Sequence, residues 1–391
     1  MTEFKTAALK IGGYGMVLWI AAIYFSTALA IMLSAILVLL WLVSGEFKQL
    51  PEILKQYSTA AWSLALFVCF LIGLSYSDAP HNEAIGMVKK YRELLFIPLL
   101  LPFLKQKPYR DLAWWTVIIA SLITVIGSQL MSIEVFCVNS QCLPYFKSYI
   151  THGILISFFA FLVCHRVFDS TGYFRYLWLV VFLLAIYNLF LVSEGRTGQL
   201  VFLVLMLVFA LQRFSKKGLL LALLVLSVLF AGFLGFSDKA RRIKQGFAAL
   251  EAKLSGSSQT EYSMGERFTF WKNTVVLIKA KPIVGQGTGN FSHAYFELTG
   301  KSAKNPHNEF LLITEQLGII GLLVYLGFLF SQYKFAQQLD YQDRYLMQGL
   351  LVCLVVTSLF NSPLLDHTEG HWFATMIALC LAAREKVGVQ S

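Results

Sequence analysis

The chain has 391 residues, of which 57% are hydrophobic and only 14% charged, with a mean hydropathy of +0.65 and a net charge of +10. Soluble domains carry roughly a quarter charged residues, so this composition excludes an ordinary soluble enzyme. Continuous apolar runs of about 17–25 residues, each able to cross roughly 30 Å of hydrocarbon, exclude a β-barrel, which needs short alternating segments.

The predicted fold is therefore an all-α polytopic membrane protein with about 12 transmembrane helices. In chain order the spans fall near 11–25, 27–43, 61–76, 91–104, 111–132, 149–165, 176–193, 198–212, 218–236, 309–331, 345–361 and 371–383. The run from Ile11 to Val43 is too long for a signal-peptide core and is expected to turn back near Tyr24–Thr27. The fourth span is short and contains Pro98 and Pro102. Residues 1–236 thus hold nine spans and residues 309–391 three. Between them, 237–308 forms one long extramembrane loop.

Orientation follows from lysine and arginine. With the N-terminus inside, 16 of the 32 basic residues lie on the cytoplasmic side, five lie in short outer loops (Lys89, Lys90, Arg92, Lys147 and Arg196), and the rest lie in the long loop. Both termini are therefore expected in the cytoplasm. Half of the positive charge faces the anionic inner leaflet. Nucleic acid is not an expected partner of the remainder, which lies outside. Cys137 and Cys142, in "CVNSQC", fall in an outer loop where disulfides persist; they are either bridged or two loop thiols. Cys69, Cys164, Cys353 and Cys380 read as small apolar fillers.

The stretch from Tyr176 to Gln212 is apolar except around "SEGRTG". As one helix it would be about 55 Å long, so it must turn back there, on the outer face. Arg196 in that turn either meets water or stands at the mouth of a cavity facing an anion, and its bidentate fork suits phosphate. The long loop begins with a basic amphipathic pattern up to Leu254, followed by a Ser/Gly stretch. A second helix starts near Gly265, with Phe268, Trp271, Val275 and Ile278 on one face. Such helices are expected to lie along the membrane surface. Arg267, at the start of this helix, could reach a phosphate at headgroup level or simply be solvated. "PIVGQGTGNF" lacks dinucleotide or P-loop spacing and reads as a glycine-rich turn that returns the chain to the membrane.

After Pro306, His307 is expected in the first turn of the tenth span. The positive end of a helix disfavours imidazolium, and a neutral histidine can accept a proton from a hydroxyl. Asn308 and Glu309 are placed to orient it or to cap the helix, and Glu315 and Gln316 to bond to neighbouring helices. Asp366, His367, Glu369 and His371 in the last outer loop make a metal conceivable, but a polar loop between spans is the ordinary case, and no metal site is expected. Lys89, Lys90 and Arg92 are outward and basic, with Lys90 and Arg92 as further candidates for holding pyrophosphate.

Three motifs together resemble the O-antigen ligase family. His307-Asn308 is followed by nine residues, Gly318, two residues and Gly321. "RTGQL" occupies 196–200, and "GERFTFWKNTVVLIKAKPIVGQGTGNF" resembles the family's outer-loop helix with its arginine and glycine return. The resemblance implies transfer of a glycan from undecaprenyl pyrophosphate to a sugar hydroxyl of lipid A-core, on the periplasmic face of the inner membrane, with no metal or nucleotide cofactor. It implies His307 as general base and Arg196 and Arg267 on the pyrophosphate; Asn308, Lys90 and Arg92 are expected as substrate-binding residues from their own positions in the sequence. An O-antigen polymerase, or an oligosaccharyltransferase acting on protein, would share the scaffold and donor. A transporter would instead show internal repeats and broken helices with polar sites at mid-membrane.

Overall fold

The structure, a computed structural model, describes residues 2–138, 141–236, 244–245 and 263–384. The basic amphipathic pattern up to Leu254 and the Ser/Gly stretch lie outside the described residues.

Sixteen α-helices run along the described residues in the order α1 (Thr2–Phe25), α2 (Thr27–Val43), α3 (Leu50–Gln56), α4 (Ser58–Gly73), α5 (His81–Tyr91), α6 (Phe96–Leu104), α7 (Lys107–Ser132), α8 (Tyr149–Asp169), α9 (Gly172–Tyr187), α10 (Arg196–Arg213), α11 (Lys216–Phe236), α12 (Ser263–Ala280), α13 (Phe291–Thr299), α14 (Glu309–Ala336), α15 (Tyr341–Phe360) and α16 (His367–Leu381). No strand occurs among the described residues. The protein is an all-α polytopic membrane protein.

Among the described residues nine helices are long and apolar enough to cross a membrane, and α2 with the bent segment Glu46–Gln56 adds a tenth. The other two expected spans are α6 and α16, of 9 and 15 residues. Both are almost wholly buried by neighbouring helices, which is where short or interrupted helices are tolerated at membrane depth. Pro102 sits inside α6.

The turn expected near Tyr24–Thr27 is present: α1 ends at Phe25, and the Ser26 side chain caps α2 by accepting from the Leu29 amide. Cys137 and Cys142 are joined by a disulfide. Cys164, Cys353 and Cys380 are buried and Cys69 is half-buried, as fillers should be.

The chain divides into two compact units, one of residues 1–120 and 275–391, the other of residues 121–274. The division falls within α7 and within α12, so the long loop contributes to both units. In the second unit α8 is the central element and packs on α9 and α10. Gly153 of α8 meets Gly198 of α10 backbone to backbone. The Ser157 hydroxyl lies between the Gly153 and Gly198 carbonyls, 2.6 and 2.7 Å away. A side chain at either glycine would push the two helix N-termini apart, so Gly198→Val is expected to lower thermal stability by about 1–3 kcal/mol through overpacking, measured by melting in detergent.

In the first unit α14 is a broken helix. Gly318 adopts φ 63° and ψ −162°, a conformation essentially confined to glycine. The break frees backbone groups, and the loop Pro282–Asn290 satisfies them. Gln286 N donates to Glu315 O (2.7 Å), Gly287 N to Gln316 O (3.0 Å), and Ile319 N to Pro282 O (2.9 Å). The Gln316 side chain accepts from Gly289 N at 2.7 Å, while the Thr288 hydroxyl and amide donate to Phe70 O and Gly73 O. The glycine-rich turn is therefore the hydrogen-bonding partner of an interrupted membrane helix, and its glycines allow the close approach. Gln316 bonds across elements as expected. Glu315 does so only through its backbone; its carboxylate is fully buried, with neither oxygen hydrogen-bonded to any described residue.

Candidate active site

In the second unit the candidate residues gather where α8 and α10 begin. The chain leaves α9 through a π-helical turn, Asn188–Val192, and Gly195 then starts α10 with Arg196 as its first residue. The Asn188 amide fixes this turn: it donates to the Ser128 hydroxyl (2.9 Å) and accepts from His152 Nε2 (2.7 Å). Gln199 Nε2 donates to Leu189 O. Gly195 lies so close to the Tyr149 carbonyl that a Cβ there would collide with it. The buried polar groups Ser128, His152 and Asn188 thus hold Arg196 at a set place. Sequence reasoning missed them, because nothing in a lone serine, histidine or asparagine on an apolar helix announces a partner 36 or 60 residues away.

Arg267, on the first turns of α12, is partly buried in the same unit. Burial holds its guanidinium below the ordinary arginine range, the charge of Arg196 lowers it further, and Tyr149 offsets part of the shift. The two arginines are thus close enough for the charge of one to act on the other. Two partly desolvated cations near a helix N-terminus, itself positive, are mutually unfavourable. A bound anion would relieve that cost, and a diphosphate has the charge and the oxygens to meet two guanidinium forks.

In the first unit His307 lies just before α14, not in its first turn. Asn308 takes the N-cap: its Oδ1 accepts from Leu311 N (2.9 Å) and its Nδ2 donates to Leu359 O (3.0 Å). Both ends of this amide are thus engaged with backbone, which makes Asn308 a holder of the helix start. His307 is half-buried with φ 53°, an uncommon conformation for a non-glycine residue. Its amide donates to Asn305 Oδ1 at 2.7 Å. The expectation that the helix end would act directly on a first-turn ring gives way to a ring on a strained turn held by two asparagines.

Glu309 anchors that turn from below. Fully buried, it accepts from the Tyr91 hydroxyl and from Leu364 N (3.0 Å), while its own amide donates to Asn361 O (3.1 Å). Tyr91 in turn stacks on Phe70 with ring centroids 3.9 Å apart. Tyr91→Phe would leave a buried carboxylate short of a donor, so it is expected to destabilise by about 1–3 kcal/mol, read as a lowered melting temperature and slower turnover.

Of the remaining candidates, Lys90 is exposed in the last turn of α5. Arg92 is half-buried, with Nη2 3.5 Å from His367 Nε2. Next to it Glu93 and His371, both buried, meet at 2.8 Å, and His371 Nδ1 also lies 2.7 Å from the His367 carbonyl. A single N–H cannot fully serve both acceptors. Glu93, His367 and His371 offer ligand atoms within 4.8 Å of one another and could hold a metal. The expected alternatives do not join them: Asp366 caps α16 through the Thr368 and Glu369 amides, and Glu369 accepts from Asn361. The Arg92 guanidinium beside His367 opposes a second cation there. Gly370 leaves the room that the Glu93 carboxylate occupies.

Fold and residues together define a polytopic membrane protein with basic and histidine side chains concentrated at helix starts. Residues 153–326, which include Arg196, Arg267 and His307, match the family model described as O-antigen ligase. This part of the chain belongs to the O-antigen ligase family. No curated protein matches the chain.

Proposed function

We propose that the protein is an O-antigen ligase: an inverting, metal-independent glycosyltransferase that moves a glycan from undecaprenyl pyrophosphate to a sugar hydroxyl of lipid A-core on the periplasmic face of the inner membrane. What supports this reading is the match of residues 153–326, which take in Arg196, Arg267 and His307, to the O-antigen ligase family model, with the half-buried Arg196 and Arg267 in one unit. In the proposed reaction His307 accepts the proton of the acceptor hydroxyl. The hydroxyl oxygen attacks the anomeric carbon as the bond from that carbon to the phosphate oxygen breaks, which inverts the centre. The leaving pyrophosphate takes the electron pair, and Arg196 and Arg267 stabilise its charge. Both substrates are lipid-anchored, which places the chemistry at a membrane surface.

The experiment supplies membranes containing the protein with lipid-linked O-antigen and lipid A-core. Glycan joined to lipid A-core is the expected product. A lengthened lipid-linked glycan would mean a polymerase, and labelled protein an oligosaccharyltransferase. The broken α14 is the one feature that favours transport; movement of donor across the bilayer without any new glycosidic bond would establish that reading instead.

A further inference from the structure

The loop between α7 and α8 carries the Cys137–Cys142 disulfide and takes no part in the proposed reaction. Its two ends are fastened separately. At the α7 end the Glu134 amide donates to Met131 O and the Val135 amide to Leu130 O. At the α8 end the Phe146 ring rests on Gly127, Tyr145 packs against Tyr149 with ring centroids 6.3 Å apart, and Ser148 Oγ caps α8 by accepting from the Thr151 amide. Between these anchors Cys142 has φ 49°, an uncommon conformation for a residue with a side chain. The cross-link to Cys137 holds it there.

Two residues further on, Pro144 meets the buried polar groups that fix the start of α10. The Ser128 hydroxyl donates to Pro144 O at 2.6 Å. The Ser128 oxygen accepts from Asn188 Nδ2 (2.9 Å), and Asn188 Oδ1 accepts from His152 Nε2 (2.7 Å). The three donors all point the same way, so each bond polarises the next, and the Pro144 carbonyl is the acceptor at the end of the chain. Ser128 and Asn188 are fully buried, where a lost partner is felt in full. Asn188 opens the π-helical turn, and its own carbonyl accepts from the Ser193 amide at 2.8 Å. Arg196 follows three residues later.

We propose that the disulfide loop is a positioning element for Arg196. The cross-link holds Pro144 where Ser128 needs an acceptor, and the chain Ser128–Asn188–His152 passes that constraint to the turn that opens α10. A cross-link that only stiffened its own loop would not need this connection. The consequence for turnover rests on the function proposed above; the coupling between the disulfide and the turn does not.

The test is hydrogen–deuterium exchange, read by mass spectrometry, on the purified full-length protein in phosphatidylcholine nanodiscs, oxidised or reduced with a water-soluble phosphine. The phosphine cleaves the S–S bond to two thiols and is itself converted to its oxide. Cys137 is exposed to it, and the other four cysteines are free, so no second bond is cut. Reduction should speed exchange about tenfold across residues 188–195, the weight of about one buried hydrogen bond, and leave residues 309–318 of the other unit unchanged. Ser128→Ala should show the same rise while still oxidised, and reduction should then add nothing. Ser132→Ala, at the exposed end of α7, should respond as wild type does. No change across 188–195, a rise spread evenly over both units, or effects of Ser128→Ala and reduction that simply add would each overturn the inference. The wild-type comparison decides the matter even if Ser128→Ala fails to fold. Neither donor nor acceptor is present, so a protein that transfers no glycan can still show the coupling, and an active ligase can still lack it.

Discussion

Arg267→Gln is expected to reduce glycan transfer by about 10²–10³-fold, the usual loss when one preorganised charge-stabilising donor is removed, while leaving the melting temperature unchanged or higher. The two outcomes belong together. In the protein without substrate, Arg267 is partly buried and its charge is opposed by that of Arg196, so removing it relieves repulsion. In the proposed reaction the same charge would stabilise the departing pyrophosphate. Arg267→Lys should recover only part of the activity, because an ammonium lacks the planar two-pronged geometry. Transfer measured at matched expression, with melting in detergent alongside, checks both halves. An inactive variant that also melts early would mean that Arg267 is a structural residue.

Gly318→Ala is expected to abolish recovery of folded protein. The backbone there is closed to residues with a Cβ, at a cost of about 1–3 kcal/mol from conformation alone. The added carbon would also run into the Ile283 carbonyl of the glycine-rich loop, and the amides of that loop satisfy the carbonyls of the broken α14. Losing the pairing would strand several backbone groups at membrane depth. Gly232→Ala on α11 has open space around the new carbon and should behave as wild type. The readout is the monodisperse fraction on size exclusion in detergent. Normal yield of Gly318→Ala would show that the break is incidental.

The helices were legible because apolar runs and charged turns are local signals. The apolar stretch through "SEGRTG" exceeds one bilayer, and the turn it demands is where α10 begins with Arg196. The same logic found the Tyr24–Thr27 turn and all twelve apolar segments, including α6 and α16, which are too short to count by length alone. What escaped were pairings between distant positions. Gly318 is an ordinary-looking glycine until Ile283 and Gly285 come against it, and Tyr91 has no reason to seek Glu309 across 218 residues. His307 was expected inside the helix, but an asparagine beside it is the stronger N-cap, so the helix starts at Glu309 and leaves His307 outside it. Glu315 was expected to bond to neighbours because polar residues in apolar helices usually do. The loop amides take its carbonyl and leave its carboxylate buried without a partner.

The most direct measurement is glycan transfer from lipid-linked O-antigen to lipid A-core in membranes, comparing wild type with His307→Ala at matched expression and confirmed folding. If His307 accepts the acceptor's proton, wild type links glycan to lipid A-core and the variant loses about 10²–10⁴-fold. A variant as active as wild type would contradict the account at its centre.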